Sequence, residues 1–246
     1  MIRRTPLRAF LRANPFSNGL TDGLFYREKM RAIHRIAPSE LAPGARILEI
    51  GGGRSGMAAA LYPGVDIVSL DIDPSLAEGQ SGAPNVVFVT GDACDLPFAD
   101  GTFDVVTMFD VLEHVPDDRT AAIEAVRVTK AGGKVLVSTP QADWHYPYYA
   151  FMAPHCPPER ALMDEWGHVR RGYTQAQLND LFKGPPKTLA SFINRGTAFF
   201  HDVAFSNLGP RKRRLLYGIA AIPTALAYVL HGRRTRGTEI AAAWQC

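Results

Sequence analysis

Three consecutive glycines at the end of a short apolar run, Arg46-Ile-Leu-Glu-Ile-Gly-Gly-Gly-Arg-Ser-Gly56, constrain this 246-residue chain more than any other stretch. Arg46 to Ile50 reads as a short buried strand. Met57-Ala-Ala-Ala-Leu61, directly after Gly56, reads as a helix. A strand that ends in glycines and opens into a helix gathers backbone N–H groups and a helix N-terminus at one point, which suits the polar end of a cofactor. Glu49 stands inside the strand, where a purely structural strand favours another apolar residue.

From Arg46 onward, strand and helix patterns alternate. Strands are expected at 46–50, 65–70, 85–90, 103–108 and 134–138, with helices at 56–62 and about 118–130, the latter stopped by Ala131-Gly-Gly133. Short loops between alternating elements imply a parallel α/β sheet with right-handed crossovers. Such sheets bind ligands beyond the carboxyl ends of their strands, where strand order reverses. Four strands end in or near an acid, namely Glu49, Asp71, Asp92 and Asp110. Core packing gives no reason for that clustering.

Outside the alternation the signals change. Residues 1–24 read as an irregular arm, and 23–37 as an amphipathic helix with Phe25, Met30, Ile33 and Ile36 on one side, ended by Pro38. This helix either covers a cofactor site or packs on the sheet. Residues 139–172 form a long connection rich in aromatics, His and Pro. Thr174 reads as an N-cap for 175–182, 188–193 as a strand, 196–236 as mostly helical, and 238–244 as a closing edge strand.

The net charge of +3 conceals an asymmetry: residues 45–140 carry 6 Lys/Arg against 14 Asp/Glu, and the remainder carries 21 against 10. Basic flanks suit an anionic surface or substrate, and an acidic centre suits something neutral or cationic. Cys94, Cys156 and Cys246 are odd in number and far apart, so a reducing cytoplasm is the expected setting. Met1 to Leu20 is Arg-rich but lacks the apolar core and cleavage site of a signal peptide.

Gly51, Gly53 and Gly56, with Asp71 about twenty residues on, also match the dinucleotide fingerprint, so an NAD-dependent oxidoreductase is one reading. Against it, Glu49 two residues before the first glycine would repel a pyrophosphate, and Asp92 and Asp110 add negative charge at the same sheet edge. That field suits a cationic cofactor such as S-adenosylmethionine, which carries a sulfonium.

Five segments carry a more specific resemblance. They are Ile47-Leu-Glu-Ile-Gly-Gly-Gly53, Leu70-Asp-Ile-Asp-Pro74, Gly91-Asp-Ala-Cys-Asp-Leu-Pro-Phe98, Phe103 to Val115, and Ala131-Gly-Gly-Lys-Val-Leu-Val137. In order and spacing they resemble the class I S-adenosylmethionine-dependent methyltransferases, in the group that includes ubiquinone and menaquinone methyltransferases. The resemblance covers about 45–140, and Arg54-Ser55 departs from it by one extra residue before Gly56. It implies a Rossmann-like α/β fold: a mainly parallel seven-stranded sheet, helices on both faces, and a helical C-terminal cap. The expected division is an N-terminal arm and helix (1–44), a cofactor-binding core (45–140), an acceptor-side segment (141–195), and a cap with a closing strand (196–246).

The resemblance also implies residue roles. Glu49 with the backbone at Gly51 and Gly53 would hold the methionine part of S-adenosylmethionine, and Asp71 would accept from the ribose hydroxyls. Ile72 would pack on the adenine, Asp92 would accept from its amino group, and the Ala93 N–H would donate to a ring nitrogen. Phe109 and Asp110 would line the methyl-transfer channel. His114 is the candidate general base for an oxygen nucleophile. Asp110-x-x-Glu113-His114 resembles a divalent-cation segment of ubiquinone-pathway O-methyltransferases, but a capping role for Glu113 is preferred and no metal is expected. His145, Tyr146, Tyr148, Tyr149, His155 and Cys156 fit no compact metal pattern and read as a pocket wall or packing. His168 and Tyr173 resemble residues that face the acceptor side.

Leu215 to Leu230 is apolar or small throughout, interrupted by Pro223 and flanked by Arg211-Lys-Arg-Arg214 and Arg233-Arg234. It falls short of a bilayer span and suits either a cap over the acceptor pocket or peripheral membrane contact through 211–234. Either role favours an apolar or lipid-attached acceptor; O-methylation of a small or lipid-linked acceptor is expected, with C- or N-methylation as alternatives, in the cytoplasm or at its membrane surface. A non-catalytic membrane-associated protein of the same fold is the further alternative. Nucleic acid is not an expected partner, because the basic residues are not interleaved with stacking aromatics.

Overall fold

The computed structural model describes every residue except 17–21, 54–55, 80–83 and 233–235, so the Arg54-Ser55 insertion and the Arg233-Arg234 flank lie outside the described residues. In chain order the strands are β1 (Ile2–Arg3), β2 (Glu40–Leu41), β3 (Arg46–Ile50), β4 (Asp66–Asp71), β5 (Val86–Thr90), β6 (Phe103–Phe109), β7 (Thr129–Pro140), β8 (Thr188–Phe192) and β9 (Glu239–Gln245). The helices are α1 (Leu7–Phe10), α2 (Asp22–Ile36), α3 (Met57–Leu61), α4 (Asp118–Val128), α5 (Glu159–Trp166), α6 (Gln175–Leu181), α7 (Arg195–Ala204) and α8 (Pro210–Leu230).

Seven strands form one sheet in the order β5-β4-β3-β6-β7-β9-β8, parallel except for β9, which runs antiparallel to both neighbours. Strand order reverses between β3 and β6, so the glycine loop after β3 opens at the switch point. Alternate residues of each strand feed opposite cores. Ile47, Ile67, Val105 and Leu136 pack with α2 and α3, whereas Leu48, Leu70, Val106 and Val135 pack with α4 and α6. This is the mainly parallel seven-stranded α/β sheet that the resemblance implied.

Three expectations need correction. The N-terminal residues are not a wholly irregular arm: β1 pairs with β2, and Phe10 of α1 is fully buried in the core under α2. Arg4 joins this anchor by donating to the carbonyls of His34 and Ala37 at the end of α2. Ala131-Gly-Gly133 does not stop a helix. α4 ends at Val128, and the glycines form a bulge inside β7, where the pairing slips between Phe103/Thr129 and Val105/Lys134. Residues 239–245 do not close an edge either, because β9 lies between β7 and β8, and β8 forms the edge. Between strands, Ile240-Ala-Ala-Ala-Trp244 is buried throughout, as a strand covered on both faces requires.

The connection after β7 builds a small core of its own from Trp144, Tyr146, Leu162 and Met163. The buried His201 ring of α7 sits among Phe25, Trp144, Tyr146, Trp166 and Phe205. Thr174 caps α6 reciprocally with Gln177. The C-terminal helices α7 and α8 pack tightly: a Cβ on Gly196 would lie 2.3 Å from that of Ala227, so only glycine permits this approach.

Candidate active site

Gly51 leaves β3 with φ +64°, and a Cβ there would stand 2.5 Å from Val111 Cγ2. Glycine therefore keeps open the cavity of about 590 Å³ that lies beyond the strand ends. Its wall includes Gly51, Asp71, Ile72, Asp92, Asp110 and His114, with Ala93 beside Asp92. Residues from four separate strand ends thus meet at one site.

Each acid there is held differently. Asp71 accepts from the backbone N–H groups of Gly53 and Asp73, both at 3.2 Å, which fixes its carboxylate at the end of β4. Asp92 accepts from Cys94 N–H at 2.8 Å. Ile72 is 72% exposed at the lip, an apolar surface available to a flat ring. Glu49 does not reach the cavity wall. It is buried under the glycine loop and accepts from Ala58 N–H at 2.9 Å, capping α3. Burial pushes its carboxyl up to about 7, against the hydrogen bonds from α3. Gly53 reaches the site through Asp71. Phe109 is buried in the α2-side core and does not line the cavity.

Asp110 follows β6 with φ +54° and is bound on both oxygens, by Lys29 Nζ at 2.6 Å and Ser138 Oγ at 2.6 Å. Burial alone would raise its carboxyl. The Lys29 charge and hydrogen bond outweigh that and hold it below the usual range. Lys29 comes from α2, so the helix does cover the site, through a residue the sequence reading did not single out. The signal was present: Lys29 lies four residues from both Phe25 and Ile33, on the apolar side of an amphipathic helix that faces an acid-rich sheet edge.

Behind Asp110, Glu113 is buried, with one oxygen accepting from Thr139 Oγ1 at 3.1 Å and the other without a hydrogen-bond partner. Burial, then the nearby Asp110, raises its carboxyl. The His114 ring stands 4.7 Å from that of His168, and burial, then His114, lowers His168 to about 4. Ligand atoms of Glu113, His114 and His168 lie within 4.8 Å of one another, a set able to hold a metal ion. Asp110 takes no part in that set, because Lys29 and Ser138 occupy it. Tyr173 is a structural clamp, its hydroxyl donating to Leu112 or Asp118.

A second cavity, also about 590 Å³, opens between α7, α8 and the segment after β7. His145, Tyr148, Asn194, Leu230, His231 and Thr238 are on its wall. Charged residues link it to the first. Glu28 stands 3.8 Å from His231, and its neighbour Lys29 binds Asp110. Glu239, beside Thr238, is raised by burial and by Asp110 and Glu113. Of the aromatic and His group after β7, His145 and Tyr148 belong to this wall, whereas Tyr146 is core packing.

Residues 48–137 match the model of the methyltransferase domain family. The chain is similar to the demethylmenaquinone methyltransferase of Beutenbergia cavernae, 43% identical over 98 residues that make up 39% of this chain and 41% of that protein. It is similar to the 2-methyl-6-phytyl-1,4-hydroquinone methyltransferase of Synechocystis sp., 32% identical over 161 residues, 58% of this chain and 48% of that one. The alignment to the Beutenbergia relative spans about two-fifths of that protein's length. Among solved structures, an S-adenosylmethionine-dependent methyltransferase of Thermotoga maritima has a TM-score of 0.56 at 18% identity, covering 98% of this chain and 99% of that one. Residues 48–137 thus match the methyltransferase domain family, within a chain that has the fold of a class I S-adenosylmethionine-dependent methyltransferase.

Proposed function

We propose that this protein transfers a methyl group from S-adenosylmethionine to an oxygen of a small or lipid-linked acceptor, an aromatic hydroxyl being the best fit. The observation that carries the reading is the meeting of Asp71, Asp92, Asp110 and His114 on one cavity at the sheet's switch point. When bound, S-adenosylmethionine would supply an electrophilic methyl group on a cationic sulfur. The chain's part is to bind, align and exclude water. Asp71 would take the ribose hydroxyls, Asp92 and the Ala93 N–H the adenine edge, and Ile72 the adenine face. Gly51 and Gly53 would hold the amino-acid end through the loop backbone, and Glu49, beneath the loop, would act by fixing it against α3. Asp110, fixed by Lys29, would line the methyl-transfer channel, with Phe109 in the core behind it.

The residues present fit such a cofactor. A carboxylate stands at the end of β4 with its position fixed by two backbone donors, and a loop glycine leaves space that any side chain would close. His114, at the cavity wall and against His168, would take a proton from an acceptor hydroxyl. The acceptor would reach His114 from the second cavity, whose wall joins rings, an amide and aliphatic side chains to the charged Asp143, Arg195 and Arg236. The similar proteins are named for quinone and hydroquinone rings, which supports that acceptor class.

The test is transfer of a labelled methyl group from S-adenosylmethionine to a panel of hydroquinones and catechols, with and without prenyl chains. The proposal expects transfer to a ring hydroxyl, favoured by the apolar chain. Binding of S-adenosylhomocysteine with no transfer to any ring in the panel would remove the acceptor assignment.

A further inference from the structure

The longest helix turns outward a face that globular proteins ordinarily bury. On α8, Leu215, Ile219, Ile222, Leu226, Val229 and Leu230 recur at helical spacing, and their exposure runs from 57% at Leu226 to 76% at Leu230. The helix is not loosely attached, because its other face is specified by contacts. Thr224 is buried, and Asn194 Nδ2 donates to the Ala227 carbonyl at 2.8 Å. Arg31 donates to the Tyr228 carbonyl at 2.7 Å and lies 4.1 Å over the Tyr228 ring. The outward stripe therefore follows from a fixed orientation. Monomeric proteins rarely show a contiguous apolar surface of this kind without a partner for it.

Charge identifies the partner. Residues 203–238 contain seven Lys/Arg and no Asp/Glu. Arg211, Lys212 and Arg214 stand exposed at the start of α8, while Arg213 turns inward and donates to the Ser206 carbonyl. The sequence beyond the helix is basic again through Arg236. A second copy pairing through α8 would bring basic ends together in either direction, which like-charge repulsion opposes. An anionic bilayer suits both features: aliphatic side chains enter the acyl boundary while the flanking cations meet headgroups. Among the described residues, no helix is long and apolar enough to cross a membrane. The fit is to a helix lying in the surface plane.

We propose that α8 docks in plane on an anionic lipid surface. Its C-terminal end then sets the rim of the second cavity against the bilayer, since Ala227, Leu230 and His231 line that cavity. A lipid-dissolved acceptor would enter there without crossing water. That last consequence rests on the methyl-transfer reading, whereas the docking itself does not.

The test is co-sedimentation of the full chain with phosphatidylcholine vesicles, with and without phosphatidylglycerol. The proposal expects binding that requires phosphatidylglycerol and weakens with salt. It expects a loss of about tenfold or more both in the Ile219→Glu/Ile222→Glu/Leu226→Glu variant and in the Arg211→Ala/Lys212→Ala/Arg214→Ala variant. Thermal midpoint and S-adenosylhomocysteine affinity should stay at the parent values, since all six side chains are exposed. A parent chain that stays in the supernatant overturns the proposal, as does either variant binding like the parent. A dimer split by the glutamate substitutions, with no vesicle binding, would assign the face to a second copy and also overturn it. A parent that binds vesicles but not S-adenosylhomocysteine would refute the methyl-transfer reading and leave the docking standing.

Discussion

Removing the ammonium of Lys29 tests whether α2 holds the site together. In Lys29→Met the aliphatic stem stays and the charge goes, leaving Asp110 with Ser138 as its remaining side-chain partner. Breaking a buried pair by deleting one partner costs about 3–5 kcal/mol. Asp110 is 34% exposed and Lys29 15%, so water relieves part of that penalty, and a loss of about 1–2 kcal/mol is expected near neutral pH. The pH dependence has a definite sign. The Asp110 value is depressed in the fold, so its stabilisation is present above the ordinary carboxyl value, about 4, and is lost as pH falls through the lower folded value. Lys29 is raised, so its contribution is present below the ordinary amine value, about 10, and is lost as pH rises through the higher folded one. The deficit of the variant should therefore be full between about pH 5 and 9 and shrink toward pH 3 as Asp110 becomes neutral. Urea unfolding followed by circular dichroism across that range measures it. Equal stability of parent and variant at pH 7, or a deficit that does not change with acid, would refute the reasoning.

Further substitutions address the cofactor side directly. Asp71→Asn removes a carboxylate placed for charge-assisted hydrogen bonds worth about 1.5–3 kcal/mol, so S-adenosylhomocysteine affinity should fall by about 10- to 150-fold in calorimetry. Gly51→Ala forces a side chain onto a left-handed residue and against Val111, and should lower the same affinity at least about tenfold. His114→Gln should cut methyl transfer by about 10²- to 10⁴-fold while leaving S-adenosylhomocysteine affinity within about twofold, the split expected of a base that does not hold the cofactor. Because burial raises Glu49 to about 7, the apo fold should lose stability as pH rises from about 5 to 7, and Glu49→Gln should flatten that slope in urea titrations.

Much of the sheet was legible because its strands are short, continuous apolar runs, and β3, β4, β5 and β6 each end in or near an acid. The position of a strand within a sheet is a long-range property. Residues 238–244 read as a closing edge strand, although the uniform apolarity of Ile240 to Trp244 is what an interior strand needs. The bulge at Ala131-Gly-Gly133 read as a helix stop because glycines serve both purposes, and only pairing with β6 and β9 distinguishes them. At the site, the acids were visible as a pattern at strand ends, but their partners were not. Lys29 reaches Asp110 across 81 residues, and His168 meets His114 across more than 50. No local spacing encodes such contacts. The inward turn of Phe109 and the helix-capping bond of Glu49 likewise depend on how β6 and α3 sit against neighbouring elements.

Calorimetric titration of S-adenosylhomocysteine and of NAD⁺ into the parent chain and into the Glu49→Gln/Asp71→Asn variant tests the central claim most directly. Acids gathered at the sheet's switch point to hold an adenosyl cofactor predict one-to-one binding of S-adenosylhomocysteine by the parent, none of NAD⁺, and a large loss in the variant. Binding of NAD⁺ alone, or an unchanged S-adenosylhomocysteine affinity once both carboxylates are neutralised, would contradict it.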